Sequence, residues 1–283
     1  SLEGEWRYAG DLFAHGLPGV SLNEDVSCAD LFRLGNKDVL LCISHRLGCR
    51  YYIGEWREEQ FHPESHAQMS WVDHTFFAPE SLLAPDGRRI MWSWLMDEPG
   101  FKTRAEYGWS GTMSLPRVLS MGEDGVLAIE VAQEIESLRG AATSVEPTRL
   151  DPHQSLIVPN IAGNSLELLL ELGSESSAGV EVCRSPGGEE ATVVRYDPAR
   201  AALEVDTRNS GPGVGALESA PLTLRAGEPL RLRVFVDKSV IEVFANGRQA
   251  VTRRMYPARV DSLGVRLQAG PAPLEVHRLD AWH

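Results

Sequence analysis

The sequence predicts an all-β protein, with sheet of the propeller type in its first half and an antiparallel β-sandwich in its second. Three observations predict it. Nearly every periodic segment alternates apolar and polar residues or forms a short apolar run bounded by Gly, Pro, Asn or Asp, which is the pattern of strands. A single stretch, Val131 to Arg139, has helical spacing, with Val131, Ile135 and Leu138 on one face, and it is short enough to be a connector. Composition also changes there: six of the seven Trp lie at or before Trp109, whereas Leu150 to Pro257 has none and is dominated by Leu, Val, Glu and Gly.

In chain order, the first-half strands are read at Asp38 to Ser44, Tyr51 to Gly54, Arg89 to Leu95 and Gly125 to Glu130. They come in groups punctuated by aromatic residues, which suits propeller blades. A four-stranded blade takes about 40–50 residues, so residues 1–137 hold about three blades. That is fewer than the four or more that close a propeller, and the sheet is expected to be a partial one. Turn-forming and small residues from Arg139 to Ser144 place a linker at 138–147. Residues 148–283 then offer about ten short strands between turns, the spacing of a β-sandwich. Among them Arg231 to Phe244 makes two apolar runs broken at Asp237-Lys238, which predicts a hairpin with a tight turn.

Charge and cysteine usage narrow the function classes. With 40 acidic and 27 basic residues the net charge is −13, which repels phosphate backbones and anionic lipid and excludes nucleic-acid and membrane partners in favour of a neutral substrate. No apolar stretch approaches the roughly 18–20 residues of a membrane span, and Ser1 to Trp6 has neither the basic nor the apolar region of a signal peptide. Cys28, Cys42, Cys49 and Cys183 include no C-x-x-C pair and the histidines are scattered singly, so neither a metal nor a cofactor is expected. So few thiols lean toward a reducing compartment, and the cytoplasm is the expected location.

Four segments carry a family resemblance. Trp109 to Arg117 (WSGTMSLPR) is similar to the W-x-G-x-M-S-L-P-R signature of glycoside hydrolase family 32, which contains the invertases, levanases and inulinases. Asp73 to Ser81 (DHTFFAPES) resembles its D-F-Y-A-P-Q-S run, and Ser27 to Phe32 (SCADLF) its E-C-P-D-L-F motif. Val234 to Gly247 resembles the hairpin of its C-terminal sandwich. The resemblance implies a five-bladed propeller with a central pocket, packed against a sandwich, of which this chain matches the C-terminal half. It also implies retaining hydrolysis of β-fructofuranosides by an Asp nucleophile in N-D-P-N-G, an Asp in R-D-P and the Glu of E-C-P-D as acid/base. Neither N-D-P-N-G nor R-D-P occurs in this sequence, and Ser27 stands where the acid/base Glu belongs. A serine hydroxyl is far too weak an acid to replace it.

The remaining candidates each have a functional and a structural reading. Glu24 and Asp25 could lend a carboxylate near Ser27, although a solvated turn is the expected outcome for charged loop residues. Asp30, the Asp of the E-C-P-D match, either lines the pocket or makes a structural hydrogen bond. Asp73 and Phe77 fall in the D-F-Y-A-P-Q-S match, with Phe77 in place of the family's Tyr and its phenol. Trp94 and Trp109 are sugar-contact candidates, because an indole offers a flat apolar face and one N–H donor; otherwise they are core. Glu80 is expected to pair with Arg88 or Arg89, His74 to be structural, and Arg117 to tie sheet to a carboxylate.

The expected function is therefore a family 32-like hydrolase of sucrose, inulin or levan type substrates, incomplete or inactive as this chain alone. The alternative is a non-catalytic fructan- or sucrose-binding or assembly module. Expected partners are a fructose-containing oligosaccharide and either a propeller-forming subunit or a second copy that covers the open sheet.

Overall fold

The computed structural model describes residues 3–97, 108–175 and 177–283. The first sheet is a meander of β1 (Ser27–Leu34), β2 (Lys37–Ser44), β3 (Gly48–Arg57) and β4 (Gln60–Gln68), in that order and antiparallel throughout. The apolar run of β2 does not alternate because both of its faces are covered. Val39, Leu41 and Ile43 enter a core shared with the second sheet, while Leu40 and Cys42 join Tyr52 and Phe61 under Leu12, Phe13 and Leu17. The second sheet is a meander of β5 (Phe76–Leu83), β6 (Arg89–Leu95), β8 (Arg117–Met121) and β9 (Leu127–Val131), with the short β7 (Thr112–Met113) paired to β6.

Two four-stranded meanders are thus present among the described residues where length alone led to an expectation of about three. Residues 3–26 form no regular strand; Phe13 makes one isolated parallel bridge to Phe61 and caps a face of the first sheet. The expected helix is also revised. Val131 ends β9, and the next element is a six-residue 3₁₀ turn, Gln133–Leu138, that buries none of its residues. Ile135 packs against the meander core but Leu138 is 74% exposed, so the anticipated apolar face is covered only in part, and a short helix without a fully buried stripe is not held.

The second half is a sandwich. One sheet runs β10 (Thr143–Val145), β22 (Leu274–Trp282), β13 (Ser165–Leu172), β18 (Leu230–Asp237), β19 (Val240–Ala245), β20 (Gln249–Arg254), with β11 (Thr148–Leu150) also on β22. The other runs β12 (Ser155–Ala162), β21 (Gly264–Ala269), β14 (Ala178–Arg184), β15 (Thr192–Asp197), β16 (Ala202–Asp206), β17 (Leu217–Pro221). Alternate residues of both, such as Leu168, Leu170, Val180, Val194, Val205 and Val234, fill one apolar core. The hairpin expected at Asp237-Lys238 is present: Asp237 pairs with Val240 across a two-residue turn that places Lys238 at φ 52°. Thr143 to Val145, within the stretch expected as linker, already pairs with β22.

Sandwich and meanders meet through an apolar contact and three buried arginines. Val240, Phe244 and Ala250 join the core that holds Phe76, Met91, Leu95 and Ile129. Arg117 donates to Glu242 Oε2 at 2.8 Å and to Thr252 Oγ1, and the Leu115 N–H donates to Glu242 Oε1 at 2.7 Å. Arg253 reaches Asp73 Oδ2 at 2.8 Å and Glu218 Oε2 at 3.1 Å; Arg254 reaches Asp97 Oδ1 at 2.9 Å. All three guanidinium side chains are only 1% exposed. The Arg117 contact matches the structural role expected of that residue. Replacing Glu242 with Ala should leave Arg117 buried without its counter-charge and cost about 3–5 kcal/mol in urea denaturation, whereas the apolar pair R117M/E242L should recover most of that loss. A loss under about 1 kcal/mol for E242A, the value of a solvated pair, would contradict a buried bridge.

Candidate functional site

The first strands of the two meanders, β1 and β5, lie side by side, joined where Asp30 Oδ2 accepts from the Ser81 N–H at 2.8 Å and from Ser81 Oγ at 2.5 Å. Each is interrupted at the same place. The register of β1 shifts between Ser27 and Asp30, with Cys28 at φ 51°, and that of β5 shifts between Phe77 and Glu80, with Ala78 at φ 48°. A non-glycine residue in the left-handed region costs about 1–3 kcal/mol and persists where surrounding contacts over-determine it, commonly at functional sites. Ser27 and Phe77 therefore occupy equivalent positions, one residue before matching bulges on neighbouring strands.

Around Ser27 the carboxylates are engaged. Ser27 Oγ donates to Asp25 Oδ2 at 3.1 Å; Asp25 Oδ1 accepts from the His45 N–H at 2.9 Å, and its Oδ2 lies 2.8 Å from His45 Nδ1. The His45 N–H bond, reinforced by the His45 ring and the Ser27 hydroxyl, brings the Asp25 carboxyl down to about 2. Glu24 Oε1 accepts from the N–H groups of Arg46 and Leu47 at 3.3 Å each, and a bond from Ser44 with these two lowers its carboxyl as well. Glu24 and Asp25 are thus clasps on the turn between β2 and β3, neither a freely solvated turn nor proton donors, because a carboxyl ionised far below neutrality has no proton to give.

Asp73 is drawn toward the sandwich instead. Its Oδ2 accepts from Arg253 and its Oδ1 from the Thr75 N–H at 2.8 Å. Burial pushes its carboxyl up, but the Arg253 charge and the Thr75 bonds outweigh burial and leave it lowered. Glu80 is exposed, and burial of its surroundings followed by the Asp30 charge raises its carboxyl. The partner expected for Glu80 goes elsewhere: Arg88 meets Asp86 and Glu134, and Arg89 lies over the Phe32 ring at 4.2 Å.

Of the aromatic candidates, Phe77 and Trp94 come together. The Phe77 ring stands edge-on to His74 at 5.6 Å and to Trp94 at 6.4 Å, and Phe77 and Trp94 are cross-strand partners on β5 and β6. Trp94 is 38% exposed and Trp109 is 51% exposed, so neither is simple core. The His74 Nδ1 is buried without a hydrogen-bond partner. Two residues that sequence reasoning passed over hold this wall. Asp97, just beyond β6, accepts from Ser110 Oγ at 3.2 Å and from the Gly111 N–H at 3.0 Å. Gly111 sits at φ +68°, and a Cβ there would lie 2.0 Å from Trp94 Nε1, so only glycine lets the backbone lie against the indole. Among the described residues no group of three or more His, Cys, Asp or Glu converges as a metal site would require.

Comparison with known proteins adds the family context. The sequence profile described as "Glycosyl hydrolases family 32 N-terminal domain" matches residues 4–130, and that described as "Glycosyl hydrolases family 32 C terminal" matches residues 134–283. A sucrose-6-phosphate hydrolase of Zymomonas mobilis is 29% identical over 86% of this chain and 50% of its own. A raffinose invertase of Escherichia coli is 30% identical over 91% of this chain and 55% of its own. A levanase of Bacillus subtilis is 28% identical over 97% of this chain and 44% of its own. The chain spans about half the length of the curated relatives it matches. In fold it is similar to fructan 1-exohydrolase IIa from Cichorium intybus, with a TM-score of 0.79 and 18% identity over 91% of this chain and 61% of that one.

The Asp25 clasp predicts a pH signature. A carboxyl lowered in the folded state stabilises it above the ordinary carboxyl range and loses that contribution as pH falls through the folded value. D25N should therefore melt below the wild type at pH 7, and the gap should close between about pH 4 and about pH 2, where the wild-type group takes up its proton. Melting curves recorded across that window would refute the clasp if the gap were the same at both ends.

Proposed function

Because the chain belongs to glycoside hydrolase family 32, we propose that it supplies the aromatic wall and the sandwich of a β-fructofuranoside site and does not hydrolyse the sugar with its own residues. The observation that carries this reading is the state of the carboxylates around Ser27. Asp25 and Glu24 are held ionised by main-chain donors, Asp30 is bonded to Ser81, and Asp73 is bonded to Arg253. Retaining hydrolysis needs two carboxyl groups about 5–5.5 Å apart, one to attack the anomeric carbon and one to shuttle the proton. Ser27 provides neither, and N-D-P-N-G and R-D-P are not in the sequence.

The substrate class is read from the wall and the relatives' names together. Phe77, Trp94 and Trp109 offer ring faces that suit the apolar side of a fructose ring. The names of the relatives, a sucrose-6-phosphate hydrolase, a levanase and a raffinose invertase, support fructose-containing sugars as the ligand class. In this reading the two meanders are blades of a five-bladed ring, and catalysis requires a polypeptide that brings the remaining blades and the two Asp motifs. A cytoplasmic setting goes with it, supported by four free cysteines. Binding without turnover is the second reading, favoured by the survival of an exposed aromatic wall where the acid is lacking.

The purified chain is expected to release no fructose from sucrose or inulin, and S27E alone is expected not to restore release, since an acid without a nucleophile leaves the anomeric carbon unattacked. Adding a polypeptide bearing N-D-P-N-G and R-D-P, together with S27E, should restore it. Fructose release by the unmodified chain at about 1 per second or faster, an ordinary enzymatic rate, would overturn this reading.

A further inference from the structure

Two adjacent residues of β20 hold the two ends of the aromatic wall. Arg253 grips Asp73, which lies just before His74 and Phe77; Arg254 grips Asp97, which comes after β6 and its Trp94. The second contact extends further. The Asp97 carboxylate divides its oxygens, Oδ1 accepting from Arg254 Nη2 at 2.9 Å and Oδ2 accepting from the Gly111 N–H at 3.0 Å and Ser110 Oγ at 3.2 Å. Gly111 in turn lies close against Trp94 Nε1, and two residues later Met113 is the cross-strand partner of Trp94. Arg254 is itself braced by the Tyr256 hydroxyl at 3.3 Å and lies over the Tyr256 ring at 5.4 Å.

We propose that Arg254 is a positioning residue through which the sandwich sets the placement of Trp94 and Trp109, and with it the affinity for a fructose-containing sugar. The physics is that of a buried, divided acceptor. The Asp97 side chain is fully buried, so its charge needs a positive charge beside it, and Arg254 Nη2 on Oδ1 leaves Oδ2 to hold Gly111 and Ser110. A lysine keeps the charge but presents a single flexible ammonium rather than a planar fork. The carboxylate would then turn toward the ammonium, the Gly111 N–H would lose its acceptor, and the segment covering Trp94 would shift. The sugar part of the proposal rests on the site reading above; the positioning part does not.

The test uses the whole chain labelled with ¹⁵N, in which each of the seven Trp gives one indole N–H signal. W94F and W109F identify the two signals of interest. R254K is expected to move those two and leave the signals of Trp56 and Trp282 in place, which a general loss of stability would not do. It is also expected to weaken binding of 1-kestose, followed by the same signals, about tenfold, the scale on which misplaced contacts act. Should R254K not fold, R254M/D97N removes both buried charges together and should give the same selective shift. Unmoved Trp94 and Trp109 signals in either folded variant overturn the proposal, as does equal 1-kestose affinity in variant and wild type. If R254K moves the two signals while 1-kestose moves none in the wild type, the positioning role stands and the sugar-site reading is the part that falls.

Discussion

Three buried guanidinium groups, those of Arg117, Arg253 and Arg254, fix how the two halves of the chain meet, and the candidate site inherits its geometry from them. The apolar contact of Val240, Phe244 and Ala250 with the meander core supplies attraction but little direction, since burial of apolar area is indifferent to a small slide or rotation. A buried guanidinium is not indifferent. Its desolvation is offset only when a carboxylate meets its fork in one geometry, and a displacement that breaks the bond leaves a charge in a dry interior. Arg117 is on the meander side and Arg253 and Arg254 are on the sandwich side, so the ion pairs interlock in both directions.

This joint also explains why the family resemblance concentrates where it does. The WSGTMSLPR segment supplies Ser110 and Gly111 to Asp97, the Leu115 N–H to Glu242, and Arg117 to Glu242 and Thr252. Glu242 belongs to the other matched segment, the hairpin from Val234 to Gly247. Two stretches far apart in sequence are the two sides of one contact. Their side chains are specified by each other as well as by the strands they stand on, which leaves fewer residue types able to serve.

What was legible in the sequence was local. Period-two runs gave the strands, Asp237-Lys238 gave the hairpin, and an Arg at the end of a strand motif was rightly expected to seek a carboxylate. What was not legible was long-range or backbone-borne. Asp73 was singled out from its motif alone, and nothing in its neighbourhood shows that Arg253, 180 residues away, bonds its carboxylate. The bulges at Cys28 and Ala78 gave no signal because neither carries the glycine that usually marks a left-handed residue. The helical spacing of Val131, Ile135 and Leu138 misled because Val131 was already committed to β9 and Leu138 stays exposed. Trp94 and Phe77 were singled out by residue type, whereas Gly111 and Asp97, which hold the segment beside Trp94, read as an ordinary turn and an ordinary loop acid.

The loop that opens β1 is held by carboxyl groups that accept hydrogen bonds: Asp25 and Glu24 receive main-chain N–H groups of the β2–β3 turn, and Asp30 receives Ser81. The lowered carboxyls of Asp25 and Glu24 hold the turn in the state in which they cannot donate a proton. Ser27 completes the arrangement as a donor to Asp25 at 3.1 Å. A carboxyl side chain at position 27 would lose that donor role and stand against the Asp25 charge, and a like charge nearby raises a carboxyl's pKa. That is the direction a general acid requires near neutrality. The surroundings of position 27 would therefore raise the pKa of a carboxyl placed there, and the side chain that occupies it, a hydroxyl, instead satisfies Asp25.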